Sequence, residues 1–590
     1  MPSRSPKKRP RLSSRACAGW LSMVALVAAP APVWSQVPSA FRPNAGTILN
    51  IYAPPTFGPV LPDTVLPRPD DTTRAADAPD APDAPETMVR VSGFELEGVN
   101  LLPTADIDAE LAGLVGQQAS LEDLRMAAVR VTALYRERGF FLARAYLPAQ
   151  EIDGGIVRIA VLEGRYDSIE ASGSARLDTE RLENILAAQG IVAGEPIEQD
   201  ALERSLILLE QQAGAPARAV LQPGTILGST SLQVTAPSGP LFSSSLGVDN
   251  FANRYTGQSR TTASLQLNSP SGIGDLGNLW FAYSTGASAL FASYQAPVGY
   301  EGLTLGASYS RYSYELCCEF ATLDRAGDAT VGGVQARYPL LLNQRALLYA
   351  SLGFNRKRLT DTWAEGVLDD KEIRAAVFSL DGIAAALGAQ LRYRAAITTG
   401  DLKILGPSDL VSLDAATIDS AGGYSKLSGE LEILHPVTSR SFLNLRLSGQ
   451  VPNNNLDSSE KFLLGGYNGI RAYPEGEAAG DQAWLARLDW VLPLSTAAMP
   501  GRAAVRSFVD NGAVWLVHSK RGGLADPGIR NHYSLAGAGV GFNWSLPRGL
   551  SLSAYVATQI GDNPGRSLAG NDADGENKST RGWVGAEWAF

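Results

Sequence analysis

RGWVGAEWAF, residues 581–590, sets Val584, Ala586, Trp588 and Phe590 on one side of an extended strand. Successive side chains of a strand point to opposite faces, so this stretch carries one apolar face that ends on an aromatic ring. Working back from it, the same period of two recurs as far as residue 238, and no helical stripe persists there. In SKLSGELEIL (425–434), Leu427, Leu431 and Ile433 oppose Lys426, Ser428, Glu430 and Glu432. In SFLNLRLSGQ (441–450), Leu443, Leu445 and Leu447 oppose Asn444, Arg446, Ser448 and Gln450. In AWLARLDWVL (483–492), Trp484, Leu488 and Trp490 oppose Arg487 and Asp489. A soluble sandwich also alternates, but with its charges toward bulk water.

The ending separates the two cases. A terminal strand of this parity resembles the signal that bacterial outer-membrane barrels present to their assembly machinery, with Trp588 and Phe590 as its aromatic positions. Residues 238–590 are therefore expected to form a 16-stranded antiparallel transmembrane β-barrel, an even number as single-chain bacterial barrels require. Turns at 342–345, 438–440 and 547–549 are short and are expected on the periplasmic side. Long loops at 361–371, 405–424, 452–482, 518–532 and 562–580 are expected outside.

The chain opens with Lys7, Lys8, Arg9, Arg11 and Arg15, an apolar run from Trp20 to Ala29, and small residues up to Ser35. This is the pattern of a secretory leader over 1–35, too short to span a membrane as a helix. Cys17 precedes the apolar run, the wrong side for a lipid anchor. Residues 36–57 hold an isolated apolar segment, PNAGTILNIY (43–52), and 58–87, rich in Pro, Asp and Ala, read as an extended linker. Two similar α+β units follow, at 88–164 and 165–237. In the first, VRVSGFELEG (89–98) alternates as a strand. Leu121, Leu124, Ala128, Val131 and Tyr135 form a helical stripe started by Ser120 and Asp123 and stopped by Gly139, and strands at 140–148 and 155–164 close the unit. The second repeats the β-α-α-β-β order with a strand at 166–173, helices at 178–190 and 197–214, and strands at 217–224 and 229–236. The exposed edges of such small sheets can accept an extended client as a further strand.

Two such units ahead of a barrel resemble the POTRA-barrel (Omp85) proteins, and specifically the two-partner secretion transporters (TpsB), the haemolysin secretion/activation family. The most specific residues are Gly469, Ile470, Arg471, Ala472 and Tyr473, within GGYNGIRAYPEGEAAGD (465–481), which are similar to the family's hydrophobe-Arg-Gly-aromatic loop motif. Ala472 departs from it, standing where the family has glycine. FVDNGAVW (508–515) resembles the wall motif that receives the loop, with Phe508, Asp510 and Gly512. Parity agrees: Val505, Val509, Ala513 and Trp515 share the lipid face, which turns Phe508, Asp510 and Gly512 into the lumen. The resemblance implies a loop folded inside the barrel with Arg471 on Asp510, an amino-terminal plug helix around 43–52, and POTRA domains in the periplasm of an outer-membrane protein. It also implies a secreted TpsA-like exoprotein of haemagglutinin or haemolysin type as client. Outer-membrane lipid and the barrel-assembly machinery are the other expected partners.

Other classes fit poorly. The formal charge of −10 supplies no basic field, so nucleic acid is not expected as a partner. The three histidines, His435, His518 and His532, show no metal or catalytic spacing, and no nucleophile elbow occurs, so no catalytic residue, cofactor or metal is expected. GAGVG (537–541) lies within an alternating strand with no helix after it, and reads as small residues packing in the barrel wall. Cys317 and Cys318 are adjacent, open to a disulfide or to simple packing, and no function is assigned to them. The alternatives to a translocator are a barrel-assembly factor of the same superfamily and, in a different class, a passive diffusion porin.

Overall fold

In lipid every backbone N–H and C=O must find a partner within the protein, so a spanning sheet has to close on itself. The computed structural model describes residues 43–54, 88–406, 408–494, 500–519 and 530–590. The leader (1–35) and the linker (58–87) lie outside the described residues. Among the described residues, sixteen antiparallel strands pair in chain order from Phe242–Asp249 to Thr580–Ala589. The last strand then pairs with the first, Trp588 opposite Leu246, and Phe590 and Ser244 exchange both backbone hydrogen bonds at 2.9 Å. Closure therefore uses the aromatic-faced strand that ends the sequence.

Parity places the apolar side chains outside: Leu352, Phe354, Phe378, Ile397, Leu427, Trp484, Leu488, Trp490, Val505 and Val509 are exposed, while Arg487, Asp489, Phe508 and Asp510 are buried. Ala513 shares the outward parity yet is buried beside Trp484, its cross-strand neighbour. The expected outer loop at 361–371 is a correction. Strands Ala346–Trp363 and Gly366–Ala386 stay paired up to Trp363 opposite Gly366, leaving only a tight turn. Beyond the hydrocarbon the outward face of the ladder is wet, while its inward face carries Asp361 and Lys371 against the polar contents of the lumen, so polar residues fill both parities and the alternation that marks a strand disappears. Within 405–424 a short helix, Ser408–Ala416, forms. Cys317 and Cys318 are joined by a disulfide at the start of a 3-10 turn.

The two units before the barrel share one topology. In the first, Gly93–Glu97 pairs in parallel with Ile156–Leu162, which pairs antiparallel with Arg144–Tyr146. In the second, Arg165–Ser172, Ser229–Thr235 and Arg218–Pro223 repeat the arrangement. The helix Leu121–Glu137 begins with the capping box read from Ser120 and Asp123. The hydrogen bonds from Ser120 hold the Asp123 carboxyl below its ordinary range. Leu124, Ala128, Val131 and Tyr135 are buried as the stripe requires. Leu121, expected in the stripe, is exposed, and the buried stripe begins at Leu124. The second unit is fastened to the barrel's near end by its helix Gln199–Ala213. Arg204 donates to the carbonyls of Glu301 and Pro339, Glu203 accepts from Gln344 N at 3.1 Å, and Gln211 reaches Tyr349 Oη.

The described part of 36–57 is a helix, Ala45–Ile51, inside the barrel. Seven residues are too few for a stable isolated helix, and this one is held by its surroundings. Asn44 and Thr47 cap each other, Ala45 N donates to Asp361 Oδ1 at 2.8 Å, and Tyr52 Oη meets Ser284 Oγ at 2.7 Å. Ile48 and Tyr52 are buried in a cluster with Trp280, Tyr312 and Tyr314 of the wall. Gly46 lets the helix touch the 458–460 turn, since a Cβ there would stand 2.3 Å from Ser458 Oγ and 2.5 Å from Ser459 N. Gly46→Val is accordingly expected to drive the helix from its seat. A reporter cysteine at Ala45, which is 1% exposed, should stay unlabelled by a bulky maleimide in the parent and become labelled in the Gly46→Val background. Equal protection in both would show that the close contact does not seat the helix.

Candidate functional site

Between strands Ser441–Pro452 and Gln482–Leu494 the chain turns back into the barrel. A 3-10 turn, Ser458–Glu460, and a two-stranded hairpin, Phe462–Leu463 with Ala479–Gly480, carry a tip at 464–478. The tip is tightly wound: Ile470 N donates to Leu464 O at 2.8 Å and Tyr473 N to Ile470 O at 3.1 Å. Gly469 permits this, because a Cβ there would stand 2.1 Å from Leu464 O. Ile470, Ala472 and Tyr473 are then buried against Leu485, Phe508, Tyr533 and Leu535 of the wall.

Arg471 is 2% exposed and Asp510 is fully buried. Arg471 Nε donates to Asp510 Oδ2 at 2.9 Å and Nη2 to Oδ1 at 2.6 Å, the two parallel bonds of a guanidinium fork on a carboxylate. The backbone N–H of Arg471 adds a third bond to Asp510 Oδ2 at 3.0 Å. The remaining edge of the guanidinium donates to Asp489 Oδ1 at 2.8 Å, and its flat face lies 3.5 Å from the centroid of the Phe508 ring. Arg487 completes a balanced set of two cations and two anions, donating to Asn468 O at 2.9 Å with its Nε 3.7 Å from Asp510. Trp583 Nε1 donates to Arg471 O at 2.7 Å. In a desolvated setting each charge depends on the others, and removing one member of such a pair costs about 3–5 kcal/mol.

The wall is shaped to receive the loop. A Cβ on Gly512 would stand 2.6 Å from Leu464 Cδ1, one on Gly537 would stand 2.5 Å from the Ala472 methyl, and one on Gly539 would stand 2.5 Å from Phe508 Cζ. Gly537, at the start of GAGVG, is thus where the loop rests, while Gly539 makes room for the wall's own Phe508. Ala472 is not among the residues with positive φ, so no glycine-only backbone angle is needed there, and its methyl fits over the bare face of Gly537. Further along the loop, Glu477 accepts from Asn563 Nδ2 at 2.9 Å and from Ala573 N at 2.6 Å. These belong to the 562–580 segment, which Arg566 and Arg581 bind together through Asp572 and Asp574.

The structure therefore brings together Gly469–Tyr473 with Phe508, Asp510 and Gly512. Trp588 and Phe590 lie apart on the outer face, where Trp588 Nε1 donates to Arg548 O at 2.9 Å. Sequence reasoning missed Asp489, Arg487, Gly537, Gly539, Trp583 and Glu477 as members of the site. The inward parity of Arg487 and Asp489 was the available signal for two of them. Trp583 has the inward parity of its strand as well, but its partner Arg471, like those of Glu477, lies far along the chain.

Residues 228–544 match the family described as haemolysin secretion/activation protein ShlB/FhaC/HecB, and residues 89–164 match the ShlB-type POTRA domain. The chain is 26% identical over 467 residues to the heme/hemopexin transporter protein HuxB of Haemophilus influenzae, covering 77% of this chain and 80% of that one. It is 23% identical over 469 residues to the outer membrane transporter CdiB of Escherichia coli, covering 77% of this chain and 76% of the other. The solved structure of CdiB from Escherichia coli superposes with a TM-score of 0.70 at 20% identity, covering 88% of this chain and 93% of that one, a likeness of fold. With the family match spanning more than half of its length, the chain belongs to the ShlB/FhaC/HecB haemolysin secretion/activation family, the outer-membrane translocators of two-partner secretion.

Proposed function

We propose that this translocator exports one secreted TpsA-like exoprotein, captured unfolded in the periplasm by the two units at 88–164 and 165–237 and threaded through a lumen that its own helix and loop occupy at rest. The observation that carries this reading is the doubly filled lumen. The helix Ala45–Ile51 and the Arg471-anchored loop sit where a client would pass. A diffusion porin needs neither this filling nor periplasmic sheets, and the arrangement favours a regulated route. Capture uses the edge of a sheet, such as Gly93–Glu97 in the first unit, which among the described residues has no strand on its outer side and can accept an extended chain. The helix leaves, the loop shifts, and the client emerges to fold outside. Folding beyond the membrane supplies direction without a nucleotide, and the client must bind the open state better than the closed one to shift the population.

The roles of the individual residues follow. Gly469 and Ile470 shape the tip, Arg471 locks it, Ala472 and Tyr473 pack it, and Phe508, Asp510 and Gly512 receive it. Trp588 and Phe590 serve the assembly machinery during insertion. Deleting 88–236 while keeping the barrel is expected to leave an inserted but secretion-dead protein, assayed as partner in the medium per folded barrel. Undiminished secretion by that deletion would overturn the capture mechanism. Arg471→Ala is expected to free the loop, at a cost of about 3–5 kcal/mol to the closed arrangement, with secretion lost while barrel levels persist. Arg471→Lys should resemble it, because an ammonium cannot bridge Asp510 and Asp489 as the planar fork does. Normal secretion by both variants at normal barrel levels would remove the loop from the mechanism.

A further inference from the structure

The outer face of the long strands carries an arrangement that export does not use. Strand register defines rows of outward side chains around the barrel. One row, Leu305, Ala336, Leu352, Phe378 and Ile397, is wholly apolar. Two rows further from the periplasmic units, Tyr309, Gly332, Arg356, Arg374 and Asp401 stand in line. The rise between successive outward residues of a strand is roughly 7 Å, so Arg356 and Arg374 stand one such step beyond Phe354 and Ala376. They occupy the headgroup level of the leaflet opposite the periplasmic units.

Arg356 and Arg374 are direct cross-strand partners, and like charges so placed repel. Glu372 answers this by accepting from Arg356 Nη2 at 2.5 Å and from Arg374 Nε at 2.7 Å. Its own side chain is only 6% exposed, whereas the two arginine side chains remain 58% and 55% exposed. One largely buried carboxylate thus serves two guanidinium groups whose side chains stay more than half exposed. Arg358, 51% exposed, binds Asp370 at 3.0 Å beside them. These three arginines and two acids leave a net positive charge, and Lys403 and Asp401 on the next strand cancel one another. Gly332, in line with Arg356, leaves a notch, since a Cβ there would meet no atom within 4 Å. Tyr309 forms the far side of the notch.

We propose that this patch binds the phosphate group of an outer-leaflet lipid, with Arg356 and Arg374 as the donors, the Gly332 notch admitting the headgroup, and the apolar side chains below, from Val334 and Phe354 to Leu352 and Phe378, taking the acyl chains. Charge complementarity and height select this occupant: only a lipid presents an anion at the edge of the hydrocarbon and chains directly beneath it. The same two strands hold the lumen's contents from their inner faces, Asp361 through Ala45 N and Lys371 through Asp457 at 3.0 Å. A lipid on the outside would steady the wall on which the helix and the loop are seated.

The test uses the full chain purified in uncharged detergent, titrated with a bis-phosphorylated lipid A and with the same lipid stripped of phosphate, counting bound lipid by native mass spectrometry. The phosphorylated lipid is expected to bind and the stripped one not. The double variant R356Q/R374Q is expected to bind about thirtyfold more weakly, the loss of two basic contacts at a lipid surface. R345Q/R440Q removes the same charge at exposed periplasmic turns and is expected to bind as the parent does. Should the double variant fail to insert, R356Q and R374Q singly carry the test, each about fivefold weaker. Equal binding by the patch variants, or equal binding of the stripped lipid, overturns the proposal. Inorganic phosphate binding as tightly as the lipid would assign the patch to a soluble anion and overturn it as well.

Discussion

A sheet immersed in lipid must close, and closing sixteen strands leaves an interior wider than the wall side chains can fill. Small barrels pack their own lumen, whereas barrels of this size enclose a channel. The rest of the architecture answers that constraint. An amino-terminal helix and a returning loop supply the interior that the wall cannot, and both come from the same chain.

Filling a polar lumen requires burying charge, and this protein does so in sets rather than in isolated pairs. Arg471 and Arg487 meet Asp489 and Asp510 within one cluster. Lys357 and Lys426 share Glu460 in the base of the loop, and Arg566 and Arg581 share Asp572 beyond its tip. Such sets stabilise only when every member is present, because an unpartnered buried charge is far costlier than an exposed one. They therefore specify one seated geometry for the loop.

The two ends of the barrel are treated differently for the same reason. At the periplasmic end, short turns let the helix Gln199–Ala213 dock directly on the strand ends, tying the nearer sheet unit to the wall. At the other end the strands run on past the bilayer, and their polar residues form ladders, loops and a disulfide-bearing turn. The long pair Ala346–Trp363 and Gly366–Ala386 serves both faces at once, with Asp361 and Lys371 holding the lumenal contents and Arg356 and Arg374 turned outward.

Much of this was legible in the sequence. Alternation in 425–434, 441–450 and 483–492 specified strands and said which side chains face lipid, since each residue of a membrane strand meets one of two unlike solvents. Ser120 and Asp123 marked the start of a helix through a local capping bond, and Arg471 and Asp510 stood out as charges in motifs of glycine and aromatics. Where the ladder leaves the membrane, water on the outside and polar contacts of Asp361 and Lys371 on the inside put polar residues on both parities, and 361–371 therefore read as a loop. The helix Ala45–Ile51 was expected through the resemblance and not from its own pattern, because beyond the Asn44–Thr47 cap its stability comes from Asp361, Ser284 and the wall tyrosines. Only the tertiary structure decided that Arg471 has two aspartates, that Gly537 lies under Ala472 and that Glu477 reaches the 562–580 segment. Local periodicity reports which medium a side chain faces; partners brought together by closure of the barrel are set by the geometry of the whole.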